Sequence, residues 1–395
     1  MTKANIKNDK KNDMTLWLLT VAIFAVGSAE LLPMGLLLPI AEDTGVSIAR
    51  AGMLVTAYAL AVVVGGPVLT AVFGSLSRKT TLAIFVSVFA GGSALTAFAL
   101  TYEWLLVGRV ASALAQGVLF GVIVVMAKDL AAPGKEGRNI ALVSSGLTVA
   151  VVLGSPLGTL TGEQFGWRVP FMAVGLLALG VLLGLKSVPA VRKSEPVPIA
   201  DQLRIVSGRS FLLALLVTVF GTGGTFAALT YIAPILERNA GVSGGTVSAV
   251  LLVFGVGSVA GNWFGGRMAD RRLYPALLGG LSSLSASMAL FAWASRDTVA
   301  AFLTALLWGA AAYSIMTPLN IQVLRRAKSA QELASTLNIS AFNLGNALGS
   351  FAGGAVIDSP LGLSAVPWCA ALITLVGLGL AIFSARADQR APTTG

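Results

Sequence analysis

Long apolar stretches alternate with short polar segments along the whole chain. A helix that crosses a bilayer needs about 20 mostly apolar residues, and twelve stretches meet this requirement. The stretches cover residues 15–40, 50–73, 81–101, 104–127, 139–160, 168–188, 211–236, 246–269, 275–294, 298–321, 331–356 and 363–385. The pattern therefore predicts an all-α polytopic membrane protein with twelve transmembrane helices.

The longest polar segment between apolar stretches, residues 187–210, divides the twelve into two groups of six. It contains Pro189, Pro196 and Pro198 among charges of both signs, which is typical of a linker. The predicted organisation is an N-terminal tail at 1–14, six-helix bundles at 15–186 and 211–385, the linker, and a C-terminal tail at 386–395.

Composition narrows the possible chemistry. The chain is 56% hydrophobic and 11% charged, against about 25% charged residues in soluble domains, which excludes a soluble enzyme and a disordered chain. It has no His, and therefore no imidazole base or His metal ligand. The single Cys369 excludes an internal disulfide. The chain also lacks a P-loop motif for ATP, so we expect no metal, no cofactor and a gradient as the energy source.

Basic residues are distributed unevenly between the polar segments. Of 27 Lys and Arg, 22 fall in the segments on the side of the two termini. Four fall on the other side, namely Arg50, Arg168, Arg238 and Arg296. Because cytoplasmic loops carry the excess of Lys and Arg, both termini are predicted to be cytoplasmic. The same bias explains the net charge of +10 without a nucleic-acid partner.

The two groups of six stretches match each other at a constant shift of 196 positions. The tripeptide Gly45-Val46-Ser47 falls on Gly241-Val242-Ser243. Single identities at this shift pair Phe24 with Phe220, Gly27 with Gly223, Gly65 with Gly261, and Gly158 with Gly354. Chance matching in a Gly-rich chain is the alternative explanation. A true repeat predicts two pseudo-symmetric bundles with a site between them near mid-membrane.

Several motifs resemble those of the major facilitator superfamily. The loop after the eighth stretch, Gly266-Arg267-Met268-Ala269-Asp270-Arg271, is similar to the family's G-x-L-A-D-R signature. The equivalent loop of the first half keeps the basic pair Arg78 and Lys79, but Gly74 stands where Asp is expected. This departure leaves the usual charge latch of the first half in doubt. The run Gly154-Ser155-Pro156-Leu157-Gly158 resembles the G-x-P-x-G pattern of proton antiporters.

The first and eleventh stretches resemble one branch of this superfamily. Residues 24–41 and 338–349 look like those of the drug:proton antiporter-1 group, which contains arabinose-efflux-like, sugar-efflux and chloramphenicol-resistance-like permeases. The resemblance implies a monomeric, multi-pass protein of the bacterial inner membrane. It also implies export of a small organic molecule, such as a sugar, nucleoside or amphenicol-like drug, in exchange for protons.

Two ionisable side chains, Glu30 and Arg109, lie well inside predicted helices. Glu30 is about fifteen residues, or roughly 22 Å, into the first helix. A carboxylate at that depth costs a few kcal/mol unless it is protonated, paired or wetted, so Glu30 is a candidate proton carrier. Arg109 is a fixed positive charge, and the superfamily's helix-4 arginine implies a role in coupling. The alternatives are a structural carboxylate and an interhelical brace to backbone carbonyls.

Aromatic and amide side chains inside the predicted helices are candidates for a site that binds an uncharged molecule. The candidate substrate-binding residues are Met34, Gln116, Phe120, Phe226, Tyr231, Trp308, Tyr313, Asn320, Asn338, Phe342, Asn343 and Asn346. Because the second half has no deep acid or base, we expect charge coupling in the first half. Ordinary helix packing is the alternative for each residue.

A second set of residues is predicted to act in gating. It contains Arg78, Lys79, Gly154, Pro156, Gly158, Asp270 and Arg271. Rows of glycines at a spacing of four, 154–162 and 345–353, allow close helix packing, and we expect each row to lie against the opposite half. Asp270 is expected to pair with basic groups at an inward gate, with a solvated turn as the alternative.

Three other functions compete with proton-coupled export. A facilitator or proton symporter of the same fold is the first. A membrane-embedded enzyme would need clustered acids or metal ligands, and Glu30 has no acidic partner in the helices. A channel would usually surround a shared pore in an oligomer.

Overall fold

The computed structural model describes residues 3–131, 135–188, 208–327 and 331–390, and almost all of them are helical. The predicted linker at 187–210 lies largely outside the described residues. Within the described ranges there are fifteen α-helices. They are α1 (Lys3–Thr44), α2 (Ile48–Phe73), α3 (Arg78–Ala97), α4 (Tyr102–Asp129), α5 (Glu136–Val149), α6 (Ser155–Phe165), α7 (Arg168–Gly184), α8 (Arg209–Leu229), α9 (Ile232–Ala240), α10 (Gly244–Arg271), α11 (Leu273–Ala294), α12 (Thr298–Ser314), α13 (Met316–Arg326), α14 (Gln331–Asp358) and α15 (Val366–Arg390).

Each predicted stretch coincides with one of these helices or with a consecutive pair. Ten helical segments of the described chain are long and apolar enough to cross a membrane, and α7 is a shorter apolar helix. The remaining stretch, the eleventh in order, is α14, which has 28 residues and carries the amides Asn338, Asn343 and Asn346. The predicted all-α polytopic class is confirmed.

Three predicted helices are interrupted. A π-helical turn, Ala150–Gly154, separates α5 from α6, and short breaks separate α8 from α9 and α12 from α13. Each interruption contains or adjoins the residue four positions before a proline, namely Pro156, Pro234 or Pro318. Proline has no N–H to donate to the carbonyl four residues earlier, and the proline ring clashes with that carbonyl. The prolines therefore account for the places at which these helices break.

The repeated Gly-Val-Ser tripeptide has the same local structure in both halves. Gly45 after α1 and Gly241 after α9 adopt φ of 65° and 64°, the left-handed region that glycine favours at a helix C-terminus. Ser47 precedes α2, where its Oγ accepts from the Arg50 N–H at 3.1 Å, and Ser243 precedes α10. The shift of 196 therefore extends from sequence identity to backbone conformation.

The chain forms two compact units. The first comprises Met1–Gly45 and Ala61–Glu195, and the second comprises Val46–Leu60 and Pro196–Gly395. The first half of α2 is thus grouped with the second unit. The bundle boundaries 15–186 and 211–385 stay a prediction.

Glycine rows bring helices into close contact within each unit. Cβ atoms at Gly154 and Gly158 would meet side chains of α1, and Cβ atoms at Gly345 and Gly349 would meet the backbone of α8. The expectation that these rows face the opposite half is wrong for these contacts. Each row packs on the first long helix of its own unit, because absent side chains let the two backbones approach closely.

A single methyl group at Gly349 is expected to destabilise the second unit. Its Cβ would overlap the carbonyl oxygen of Gly223, which is backbone and can yield only if the helices separate. We expect Gly349→Ala to lower the stability by about 1–3 kcal/mol. The matched control is Gly379→Ala, whose Cβ meets nothing within 4 Å and which raises helix propensity. Thermal unfolding of the two purified variants in detergent measures their stabilities. Equal unfolding midpoints would contradict the close contact between Gly349 and α8.

Candidate functional site

Two charged side chains are buried in the part of the chain that the structure describes. Glu30 on α1 is 8% exposed and Arg109 on α4 is 1% exposed. Both belong to the first unit, as expected from the absence of deep acids and bases in the second half. Burying charge is costly unless hydrogen bonds compensate for it, so the partners of these two residues define the site.

The guanidinium of Arg109 donates to the backbone of α1. Its Nη1 lies 2.5 Å from the carbonyl oxygen of Ala29, and its Nη2 lies 3.5 Å from that of Glu30. The guanidinium carbon is also 5.8 Å from the centre of the Phe171 ring on α7. The fixed charge is thus held beside Glu30 through the interhelical brace that the sequence left as an alternative.

The carboxylate of Glu30 is held by Gln116. The Gln116 Nε2 donates to Glu30 Oε2 at 2.7 Å, and Gln116 is itself buried. Seven residues separate Arg109 from Gln116, so both lie on one face of α4. The sequence placed Gln116 in the substrate set, but the structure brings it onto the carboxylate. Helix α4 therefore binds α1 at the backbone and at the acid.

Two aromatic side chains meet between α8 and α14 of the second unit. The rings of Phe226 and Phe342 meet edge to face, with centroids 5.4 Å apart. Their chain neighbours Thr225 and Asn343 carry buried oxygens, Oγ1 and Oδ1, that have no hydrogen-bond partner among the described residues. Phe226 stands 196 positions after Glu30, so the equivalent positions carry an acid in one unit and an aromatic ring in the other.

Three other predicted substrate residues form packing contacts. Trp308 is fully buried, with its ring centre 5.3 Å from those of Phe254 and Phe291. Tyr313 lies 6.4 Å from Phe254. The Tyr231 hydroxyl donates to the Ser350 carbonyl at 2.9 Å, and Cβ atoms at Gly353 would meet its ring.

The remaining candidates are dispersed over both units. Asn338 accepts from the Thr218 hydroxyl at 2.8 Å and donates to Asn320 at 3.4 Å. Asn346 and Met34 are buried, and Phe120 is half-buried. Their proposed contact with substrate stays a prediction.

The basic loop residues of the first half have partners within their own unit. Arg78 forms an ion pair with Asp129 at the end of α4, and Lys79 donates to the Val188 carbonyl at 2.8 Å. Arg78 is thus latched to α4 even though Gly74 replaces the expected acid. Asp270 and Arg271 are exposed, and the ion pairs seen among the described residues do not include Asp270. The expected pairing of Asp270 at an inward gate is therefore not found in the described chain, which fits the solvated turn.

Sequence reasoning missed a polar network around Arg326 in the second unit. Arg326 donates to the Ser384 hydroxyl at 2.6 Å, to Asp388 at 3.0 Å and to the Ser210 carbonyl at 2.8 Å. The Tyr274 hydroxyl also donates to Asp388. Tyr274 stands 196 positions after Arg78, so the repeat shift was the signal that could have found this counterpart of the Arg78 latch.

Apolar spans and two buried charges held by neighbouring helices are features of a multi-pass membrane protein. The chain matches the family model of the Major Facilitator Superfamily over residues 17–340. This protein therefore belongs to the Major Facilitator Superfamily of transporters, whose members are not enzymes.

Relatives in bacteria support this assignment, and one solved structure shows the same fold. The chain is 37% identical to the inner membrane transport protein YdhP of Escherichia coli, covering 95% of this chain and 97% of that protein. It is 32% identical to the chloramphenicol resistance protein of Streptomyces lividans, covering 92% and 94%. A bacterial homologue of the human lysosomal transporter Spinster has the same fold, with a TM-score of 0.76 at 16% identity, covering 95% and 97% of the two chains.

Proposed function

We propose that this protein exports a small organic molecule in exchange for protons. The observation that carries the proposal is the buried Glu30, whose carboxylate accepts a hydrogen bond from Gln116 and whose backbone carbonyl lies 3.5 Å from Nη2 of Arg109. Since the chain has no His, the proposal rests on Glu30, which is the one carboxylic acid among the buried residues that the structure describes. A buried acid of this kind in a membrane helix marks a proton or substrate path.

Protonation of Glu30 changes how α4 binds α1. An ionised carboxylate accepts a charge-assisted hydrogen bond from Gln116, which is roughly twice as strong as a bond to a neutral group. Protonation weakens that bond, while Arg109 keeps its contact with the Ala29 carbonyl. In the proposed cycle Glu30 is protonated from the outside and discharges to the cytoplasm, and the substrate moves the other way.

The substrate site is proposed in the second unit, around Phe226 and Phe342. The chain neighbours of these rings carry two buried oxygens that have no hydrogen-bond partner among the described residues, Thr225 Oγ1 and Asn343 Oδ1, and such acceptors suit a molecule that donates hydrogen bonds. Charged side chains are absent from the buried residues that the structure describes in this unit, so we propose an uncharged, ring-containing or hydroxylated substrate. A relative that is a chloramphenicol resistance protein makes an amphenicol a suitable first probe.

The proposed setting is a bacterial inner membrane, as the name of the Escherichia coli relative indicates for that protein. The excess of basic residues on the side of the termini supports cytoplasmic termini. We also propose that the protein acts as a monomer, without a nucleic-acid partner or a cofactor.

Accumulation in proteoliposomes tests the exchange. Liposomes with an acidic lumen are given labelled chloramphenicol, a nucleoside or a pentose, and protein-free liposomes measure leakage. We expect at least one compound to accumulate above its outside concentration and to leave when a protonophore is added. Accumulation that needs an acidic exterior would show symport, and equilibration without accumulation would show a facilitator. Either result would contradict the proposed antiport.

A further inference from the structure

The carbonyl that Arg109 binds belongs to a residue four positions before a proline. Pro33 lies inside α1, and in a regular helix the N–H of residue 33 would bond to the carbonyl of Ala29. Proline has no N–H, so this carbonyl has no partner within its own helix. The Nη1 of Arg109 lies 2.5 Å from that oxygen.

We propose that Pro33 is a positioning residue for Arg109, because it leaves the Ala29 carbonyl as a buried acceptor for the guanidinium. This inference rests on the proposed function. In the proposed role, Pro33 affects Glu30 only indirectly, by setting where the guanidinium of Arg109 is held. In this account the proline is required for its missing N–H rather than for a bend in α1.

Burial makes this acceptor important to Arg109. The residue is 1% exposed, and a guanidinium carries five N–H donors that need acceptors. An uncapped carbonyl inside a membrane helix likewise needs a donor from a neighbouring helix or from water. One hydrogen bond, from Arg109 to the Ala29 carbonyl, therefore satisfies both the guanidinium and the carbonyl. It holds the charge of Arg109 next to the position of Glu30 on α1.

Restoring the N–H is expected to weaken this contact without abolishing it. A carbonyl oxygen has two lone pairs, so an N–H at residue 33 would share the oxygen of Ala29 with Arg109. We expect Pro33→Ala to lower gradient-driven transport by about tenfold, the factor that corresponds to about 1.4 kcal/mol. Transport down a substrate gradient should change less, because it does not require the proton step.

The chain offers a matched control on the same helix. Pro39 also lies inside α1, and the carbonyl that it leaves without an intrahelical partner is that of Gly35, six residues beyond Ala29. Pro39→Ala therefore removes a proline of the same kind from the same helix. If the bend of α1 is what matters, the two variants should behave alike.

Two measurements on the full-length protein separate the possible outcomes. Gradient-driven and downhill transport of chloramphenicol in proteoliposomes are compared for wild type, Pro33→Ala and Pro39→Ala, with Pro33→Gly as a second N–H-restoring variant if the first is poorly folded. Thermal unfolding then provides double-mutant cycles of each proline with Arg109→Ala. We expect Pro33→Ala to lose coupled transport selectively. We also expect the stability changes of Pro33→Ala and Arg109→Ala to be non-additive in the double mutant.

The outcomes distinguish this inference from the function on which it rests. Equal transport by Pro33→Ala and Pro39→Ala, or additive unfolding for Pro33 with Arg109, would overturn the positioning role. A wild-type protein that shows no proton-coupled movement would overturn the proposed function. In that case non-additive unfolding would still support the structural contact between Pro33, Ala29 and Arg109.

Discussion

Glu30→Gln is expected to abolish gradient-driven export while leaving the protein folded in the membrane. The amide has nearly the shape of the acid and keeps an oxygen that can accept from Gln116 Nε2, which now lies 2.7 Å from Glu30 Oε2. It cannot bind and release a proton, so the gradient has no carrier. Accumulation by proteoliposomes should fall to the level of protein-free liposomes.

The control for this variant makes the same change at an exposed acid of the first unit. Glu163 near the end of α6 is exposed, and Glu163→Gln should export at the wild-type rate. Thermal unfolding should give similar midpoints for both variants and wild type. Undiminished export by Glu30→Gln would remove Glu30 from the proton path.

Arg109→Ala is expected to show the second large effect. It removes the donors to the carbonyls of Ala29 and Glu30 and the fixed charge beside the acid. A hydrogen bond to a charged group typically contributes about 1.5–3 kcal/mol, so both export and thermal stability should fall. Arg109→Lys keeps the charge but has one donor group instead of a planar fork, and we expect an intermediate rate of export.

The control for Arg109 is an arginine at the start of α7 in the same unit. Arg168 pairs with Asp43 at 2.7 Å and donates to the Ala99 carbonyl at 3.1 Å, but it is partly exposed. Arg168→Lys should keep most of the export activity, since a surface ion pair contributes only about 0–1 kcal/mol. Full export by Arg109→Lys, measured beside this control, would show that the fork geometry of Arg109 is dispensable.

The sequence predicted those features that depend on composition along one helix. The apolar stretches matched the helices because span length is set by the thickness of the bilayer. Glu30 and Arg109 were evident as charges where apolar residues are required, and both proved buried. The Gly-Val-Ser repeat gave two equivalent turns because the left-handed conformation at Gly45 and Gly241 is a local property.

Features that depend on which helices are neighbours were less predictable. The substrate set included Gln116, because nothing along α4 shows that its amide lies against Glu30 on α1. The glycine rows were expected to pack against the opposite half, but they pack against α1 and α8 of their own units. A face of small residues shows that a helix can approach closely, but it does not show which helix does so. The network around Arg326 unites residues from four helices, and its members are unremarkable in sequence.

Proton movement on addition of substrate is the most direct test of the central claim that Glu30 exchanges its proton for the exported molecule. Proteoliposomes with a pH-sensitive dye in the lumen and no initial pH gradient are given an inward gradient of a compound that the protein accumulates. The account predicts that the lumen becomes more alkaline with wild type and Glu163→Gln, and stays constant with Glu30→Gln. A lumen that becomes acidic, or an equal response from Glu30→Gln, would contradict it.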